Sequence, residues 1–201
     1  RSFKMNQENT KKIIINIADV LIENKTYLSN LDSAIGDGDH GFNMAKGFGF
    51  VKDEMNKDYK DMKELFNKIA MTLISKVGGA SGPLYGTFFM KFASVLSGVT
   101  ELDRDIFTKA FIAGVDGVKM RGKAGVGDKT MVDVLEPVCN ALKEGKSYSE
   151  LITLAKEKME HTKDIKALKG RASYLGDRSV GHIDPGACSS YLIIKTALEE
   201  L

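Results

Sequence analysis

Apolar side chains recur every three to four residues along most of the chain, which is the spacing of one face of an α-helix. No segment alternates apolar and polar residues as a half-buried strand would. The pattern predicts a first helix over residues 6–30 and further helices around residues 44–51, 65–77, 84–96, 106–118, 131–142, 151–159 and 191–198. The sequence therefore predicts one all-α domain over residues 1–201, an up-and-down bundle of about eight antiparallel helices.

Polar residues at fixed spacings mark where three of these helices begin. Asp61 with Glu64, and Ser147 with Glu150, have the spacing of a capping box, in which each side chain bonds the other residue's backbone N–H. Asp103 precedes another apolar run and is predicted to be an N-cap. These start signals agree with the helical periodicity.

The connections between the predicted helices fall into two kinds that alternate along the chain. Those after the second, fourth and sixth helices are short and polar, whereas the others are rich in glycine and charged residues. The glycine-rich connections are residues 35–41 (Ile-Gly-Asp-Gly-Asp-His-Gly), 78–83 (Gly-Gly-Ala-Ser-Gly-Pro), 121–130 (Arg-Gly-Lys-Ala-Gly-Val-Gly-Asp-Lys-Thr) and 170–186. Because alternate connections of an up-and-down bundle lie at the same end, we predict one composite site there.

Composition excludes several classes of function. The chain has 29 basic and 27 acidic residues and a net charge of +2, which argues against nucleic acid or an anionic membrane as a partner. No run of about 18 apolar residues is present, so no membrane span is expected. Cys139 and Cys188 lie far apart, with no CxxC motif and no His/Cys cluster, which suits a reducing compartment. We therefore expect a cytoplasmic protein.

Asp32, Asp37 and Asp39 form the most specific cluster of candidate ligands. Three carboxylates so close in sequence repel one another unless a cation or a proton offsets their charge. Carboxylate oxygens without nearby cysteine suit a hard cation such as Mg²⁺, and the spacing does not match an EF-hand. The alternative is that these residues only form a turn and a helix N-cap.

The other three loops carry features that suit phosphate binding. Residues 78–83 precede an apolar helix, whose N-terminal N–H groups attract anions, although glycine and proline here also serve as a helix stop and start. Residues 121–130 resemble a P-loop, but Asp128 interrupts the motif and no strand precedes it. The last loop carries Arg171 and Arg178, and its length favours a functional lid. We expect His40 and His182 to form hydrogen bonds rather than accept a phosphoryl group.

The loop motifs resemble the nucleotide-binding L subunit of dihydroxyacetone kinases. The matching strings are residues 31–41 (Leu-Asp-Ser-Ala-Ile-Gly-Asp-Gly-Asp-His-Gly), 78–86 (Gly-Gly-Ala-Ser-Gly-Pro-Leu-Tyr-Gly), 127–131 (Gly-Asp-Lys-Thr-Met) and 181–187 (Gly-His-Ile-Asp-Pro-Gly-Ala). They cover essentially the whole chain in order. The resemblance implies an eight-helix barrel with ADP or ATP bound at one end.

The resemblance also implies the roles of individual residues. Asp32, Asp37 and Asp39 would hold two Mg²⁺ ions that bridge the nucleotide phosphates. The residues that would contact or cover the nucleotide are His40, Gly41, Phe42, Asn43, Ser81, Gly82, Gly122, Met131, Arg171, Asp184, Pro185 and Gly186. No catalytic side chain is implied for this chain, because the base for the sugar hydroxyl would lie on a partner.

A chain of this length implies the form of the family that works with two partner subunits. In that form tightly bound ADP serves as a cofactor. An M subunit, carrying a phosphohistidine fed by the phosphoenolpyruvate phosphotransferase system, converts ADP to ATP. The phosphoryl group then passes to dihydroxyacetone held on a K subunit.

Other functions fit part of the same pattern. A fatty-acid-kinase-like subunit that exchanges ATP shares these motifs, and a nucleotide-occupancy sensor that regulates a transcription factor would need the same site. A helical protein that binds only a cation leaves the other three loops unexplained. The sequence leaves open whether the chain forms a homodimer.

Overall fold

The computed structural model describes residues 3–201, so residues 1 and 2 of the predicted domain lie outside it. The α-helices are α1 (Gln7–Glu23), α2 (Lys25–Ile35), α3 (His40–Glu54), α4 (Met62–Lys76), α5 (Ser81–Ser94), α6 (Arg104–Gly122), α7 (Val132–Lys143), α8 (Tyr148–His161) and α9 (Pro185–Glu199). Two 3₁₀ helices, Thr162–Asp164 and Arg171–Ser179, follow α8. Within residues 3–201 the only β pairing is an isolated bridge between Met5 and Leu102, so the predicted all-α class is confirmed.

The prediction of one continuous first helix is wrong, because the helix is interrupted at Asn24. The Asn24 side chain donates a hydrogen bond to the Val20 carbonyl at 2.8 Å, and its backbone leaves the helical region (φ −98°, ψ 10°). This bond competes with the regular helical pattern, as asparagine often does. The break lets α2 take its own direction and pack on α3 and α9.

The helices close into a ring. Each consecutive pair from α3 to α9 is in contact, and α1 contacts both α3 and α9, so eight helices surround a common interior with α2 at one end. The interior is filled by apolar side chains, including an aromatic cluster in which the Phe66 and Phe92 ring centroids lie 4.6 Å apart. Among residues 3–201, no helix has both the length and the apolar character needed to cross a membrane.

The predicted helix starts are confirmed at the end of the barrel away from the glycine-rich loops. Asp61 accepts from the Glu64 N–H at 2.9 Å and Asp103 from the Ile106 N–H at 2.8 Å. Ser147 forms a complete capping box with Glu150. The capping box of Asp61 is incomplete, because the Glu64 carboxylate accepts from the Lys60 N–H and not from the Asp61 N–H.

Two glycines of α3 have opposite roles and give a matched test of the packing. A Cβ at Gly41 would lie 1.8 Å from the Lys25 carbonyl oxygen, whereas a Cβ at Gly49 meets no atom within 4 Å. We expect Gly41→Ala to lower the free energy of unfolding by at least about 2 kcal/mol, because the clash is with backbone. Gly49→Ala should raise it by about 0.5–1 kcal/mol through the lower chain entropy of alanine. Urea denaturation measures both, and equal effects of the two substitutions would contradict the close α2–α3 contact.

Candidate functional site

A cleft of about 580 Å³ opens at the end of the barrel where the glycine-rich connections meet. Its walls come from the α2–α3, α4–α5 and α6–α7 connections and from the lid loop, which we define as residues 162–184 between α8 and α9. The volume is typical of a small-molecule site. The structure thus confirms that alternate connections meet at one end.

Asp32, Asp37 and Asp39 form one acidic wall of this cleft. Asp32 lies in the last turn of α2, and its Oδ2 accepts from the backbone N–H groups of Asp39 at 2.9 Å and His40 at 3.0 Å. Burial raises the pKa of Asp32, and the neighbouring Asp39 raises it further against the effect of these two hydrogen bonds. Negative charge is therefore unfavourable at Asp32, next to Asp39.

The acidic wall has the chemistry of a magnesium site, although its side chains do not converge on one point. Among residues 3–201, no three His, Cys, Asp or Glu side chains come together as a metal centre. Asp32 is turned toward backbone N–H groups, and Asp37 Oδ1 forms an ion pair with Arg171 Nη1 at 2.9 Å. The oxygen-only donor set and the raised pKa of Asp32 fit a hard cation.

His40 lies beneath the acidic wall, enclosed by hydroxyl groups. Its Nδ1 is 3.1 Å from Ser81 Oγ and its Nε2 is 2.9 Å from Ser189 Oγ. Burial lowers the pKa of His40 to about 4, despite the nearby Asp39, so the ring is neutral near pH 7. With both nitrogens bonded, one must donate and the other accept. This geometry favours the predicted hydrogen-bonding role over phosphoryl acceptance.

The hydroxyl network continues from His40 into the barrel. Tyr85 Oη lies 2.7 Å from Ser189 Oγ and 2.8 Å from Ser190 Oγ, and all three side chains are buried. This series of hydrogen bonds links Ser81, on the cleft wall, to polar groups deep in the barrel. Such a buried network holds its members in one arrangement when every polar group is satisfied.

Asp184 is the N-cap of α9 and lines the cleft. Its Oδ2 accepts from the Ala187 N–H at 2.8 Å, and its own N–H donates to Thr162 Oγ1 at 3.0 Å. Burial raises the pKa of Asp184 to about 7, with Asp133 adding to the rise and Lys129 opposing it. A cation bound nearby would favour the charged form of this carboxyl group and lower its pKa.

The structure brings most of the predicted site residues into the cleft. The lining includes Asp32, Asp37, Asp39, His40, Asn43, Ser81, Gly122, Met131, Arg171, Asp184, Pro185 and Gly186. Gly41, Phe42 and Gly82 lie outside it. Gly41 and Gly82 pack against the backbone of Lys25 and Val77, and the Phe42 side chain is half exposed on the outer surface.

Sequence reasoning missed two groups that organise the site. The predicted phosphate-facing loop contains Lys129, but the Lys129 ammonium is buried and bonds carbonyl groups of the lid loop. Ser189 contacts His40 from a helix distant in sequence, and Tyr85 in turn contacts Ser189. A pair of serines at 189 and 190, in the mainly apolar first half of α9, was the available signal for the second group.

Comparison with known proteins gives consistent matches. Residues 34–199 match the DAK2 domain family. The chain is 49% identical over 178 residues to the "PEP-dependent dihydroxyacetone kinase 1, ADP-binding subunit DhaL" of Listeria innocua, covering 88% of each chain. It is 42% identical over 180 residues to the corresponding Escherichia coli subunit, covering 85% of this chain and 86% of that one.

A solved structure shares the fold. The dihydroxyacetone kinase of C. freundii, in complex with AMP-PNP and Mg²⁺, superposes with a TM-score of 0.77 at 26% sequence identity. The match covers 95% of this chain but only 33% of that longer chain. With the family match over most of its length and a relative of 49% identity, the chain belongs to the DAK2 domain family.

Proposed function

We propose that this chain is the ADP-binding subunit of a phosphoenolpyruvate-dependent dihydroxyacetone kinase, and so a subunit of a phosphotransferase. The observation that carries the proposal is one cleft in which an acidic wall, an uncapped helix start and an arginine face a common space. These are the groups that a magnesium–nucleotide complex requires. The names of the relatives with more than 40% identity support the same assignment.

The uncapped helix start that we use is that of α5. At the same end of the barrel, α3 and α7 also lack a cap from the N-cap side chain, but their first N–H groups, those of His40 and Val132, donate to the side chains of Asp32 and Thr130. The starts of α1, α4, α6 and α8, at the opposite end of the barrel, carry side-chain caps, whereas α5 begins at Ser81 without one. Its N-terminal N–H groups and the positive end of its dipole therefore favour an anion in the cleft. We assign the nucleotide phosphates to this position, beside Ser81 and Arg171.

We assign two Mg²⁺ ions to Asp32, Asp37 and Asp39. When bound, magnesium supplies compensation for the phosphate charge and a template for in-line transfer. The chain's own residues bind and orient: Arg171, at the cleft wall beside Asp37, would bind a phosphate oxygen, and the enclosed His40 keeps Ser81 in place. No side chain of the cleft needs to act as a nucleophile.

The proposed partners are a phosphohistidine M subunit and a K subunit that holds dihydroxyacetone. The M subunit converts the bound ADP to ATP, and the phosphoryl group then passes to the sugar on the K subunit. We place this reaction in the cytoplasm, where the buried free thiols of Cys139 and Cys188 stay reduced. The relatives are named as dihydroxyacetone kinase subunits, which does not favour a fatty-acid-kinase-like subunit or a nucleotide sensor.

The nucleotide content of the purified protein tests this proposal. The protein is prepared without added nucleotide and denatured, and the released nucleotide and magnesium are quantified. We expect about one ADP and about two Mg²⁺ per chain, because a cofactor that is not released as a product must stay bound. An empty protein that binds and exchanges ATP freely would contradict the cofactor role of ADP.

A further inference from the structure

Lys129 has surroundings that are unusual for a lysine. Its side chain is 1% exposed, and its backbone adopts the left-handed conformation with φ of 64°. Nζ donates to the carbonyl oxygens of Ser179 at 2.7 Å and Ile165 at 3.1 Å, and also to that of His182. An ammonium group has three N–H donors, so these three carbonyls satisfy all of them.

All three carbonyls belong to the lid loop. They come from its beginning and its end, so one ammonium group holds together segments that are 17 residues apart between Ile165 and His182. The large lid side chains Leu168 and Tyr174 are 57% and 85% exposed, so these two side chains add little apolar contact to the anchor. The neighbouring bond from the Leu168 N–H to the Asp128 carbonyl, at 3.1 Å, attaches the lid to the same connection.

The position of the lid loop determines whether the charged ammonium group of Lys129 has hydrogen-bond partners. A buried ammonium group without partners is strongly unfavourable, so Lys129 remains satisfied only while the lid keeps its carbonyls in place. Burial lowers the pKa of Lys129, although Asp184 and Asp133 lie near enough to favour its charged form. The lid residue Arg171 reaches Asp37 from this fixed position, which completes the cleft wall.

We propose that Lys129 is a positioning residue whose buried ammonium group holds the lid loop closed over the bound nucleotide. It contributes no atom to phosphoryl transfer; it slows nucleotide release by fixing the residues that cover the cleft. The inference rests on the proposed function, since it requires a nucleotide beneath the lid.

Replacement of Lys129 tests the inference with two readouts. The first is the rate of ADP release, and the second is the rate at which trypsin cleaves the lid loop after its lysine and arginine residues from Lys163 to Arg178. Lys129→Ala should release ADP at least about tenfold faster, since three charge-assisted hydrogen bonds are lost. Trypsin should cleave the nucleotide-free variant faster than the wild type. Propylammonium, which matches the atoms removed, should restore slow release and protection, whereas tetramethylammonium, which has no N–H donor, should not.

Lys123→Ala is the matched control, because Lys123 lies in the same connection, also has a positive φ (51°), and is exposed. It should leave both readouts at wild-type values. Lys129→Met keeps the aliphatic stem and decides the question if the alanine variant does not fold. Wild-type rates of release and cleavage in a folded Lys129 variant would overturn the inference. A wild-type protein that holds no ADP would overturn the proposed function instead, and the tryptic comparison would still decide the role of Lys129 as lid anchor.

Discussion

Asp37→Ala is expected to lower the rate of phosphoryl transfer by at least about a hundredfold while leaving the helical fold intact. The Asp37 side chain is 42% exposed in the α2–α3 connection and has Arg171 as its ion-pair partner. Its loss therefore removes little packing, but it takes a carboxylate from the acidic wall that we assign to magnesium. Circular dichroism should match the wild type, whereas bound magnesium and ADP should be lost together.

The matched control for this prediction is Asp58→Ala. Asp58 is fully exposed in the α3–α4 connection, at the other end of the barrel, and makes a 3.5 Å surface contact with Lys11. Such exposed pairs contribute little to stability. Transfer at the wild-type rate is expected for Asp58→Ala. A folded Asp37→Ala protein with full activity in the presence of both partners would show that the metal assignment is wrong.

Asp184→Asn is expected to make the nucleotide-free protein more stable at neutral pH and less able to hold magnesium–ADP. Burial raises the pKa of Asp184 to about 7, far above the value of an exposed aspartate. A group with a raised pKa binds its proton more tightly in the folded state. Its stabilising contribution is therefore complete below about pH 4 and is lost as pH rises toward the folded pKa. Asparagine does not ionise, yet its amide oxygen still accepts from the Ala187 N–H as an N-cap.

The difference in unfolding free energy between Asp184→Asn and the wild type measures this effect. It should grow between about pH 4 and pH 8, in EDTA without nucleotide, to at most about 4 kcal/mol at about 1.4 kcal/mol per pKa unit. The opposite contribution of the buried His40 is present in both proteins and cancels in the difference. Asp103→Asn, at the N-cap of α6, supplies the same substitution away from the cleft. A difference that does not change with pH would contradict a raised pKa of Asp184 in its partly buried position.

Sequence patterns predicted the fold well where the determining contacts are local. Helical spacing located the helices, and capping residues such as Asp103 and Ser147 fixed their starts. The break at Asn24 was not predicted, because the apolar spacing continues through it and a single side-chain bond to Val20 redirects the chain. The ring closure of α9 on α1 was implied only by resemblance, since no local pattern encodes a contact between the two ends of the chain.

The parts of the site that could be predicted are those whose residues lie close together in short sequence motifs. The three aspartates fall within eight residues, so their shared wall followed from the sequence. Glycine residues in motifs proved ambiguous, because Gly41 and Gly82 serve close backbone packing rather than lining the cleft. The bond from Lys129 to His182 spans 53 residues, and no spacing rule could have indicated it.

Phosphoryl transfer in a reconstituted system tests the central claim most directly. The protein with its own bound ADP is combined with the K subunit, dihydroxyacetone, and M subunit phosphorylated from phosphoenolpyruvate, with isotopically labelled ADP added to the solution. We expect dihydroxyacetone phosphate to form over many turnovers while the labelled ADP remains outside the protein. Two results would contradict a subunit that keeps ADP as a resident cofactor. One is transfer that requires free ATP, and the other is exchange of the labelled ADP into the protein at each turnover.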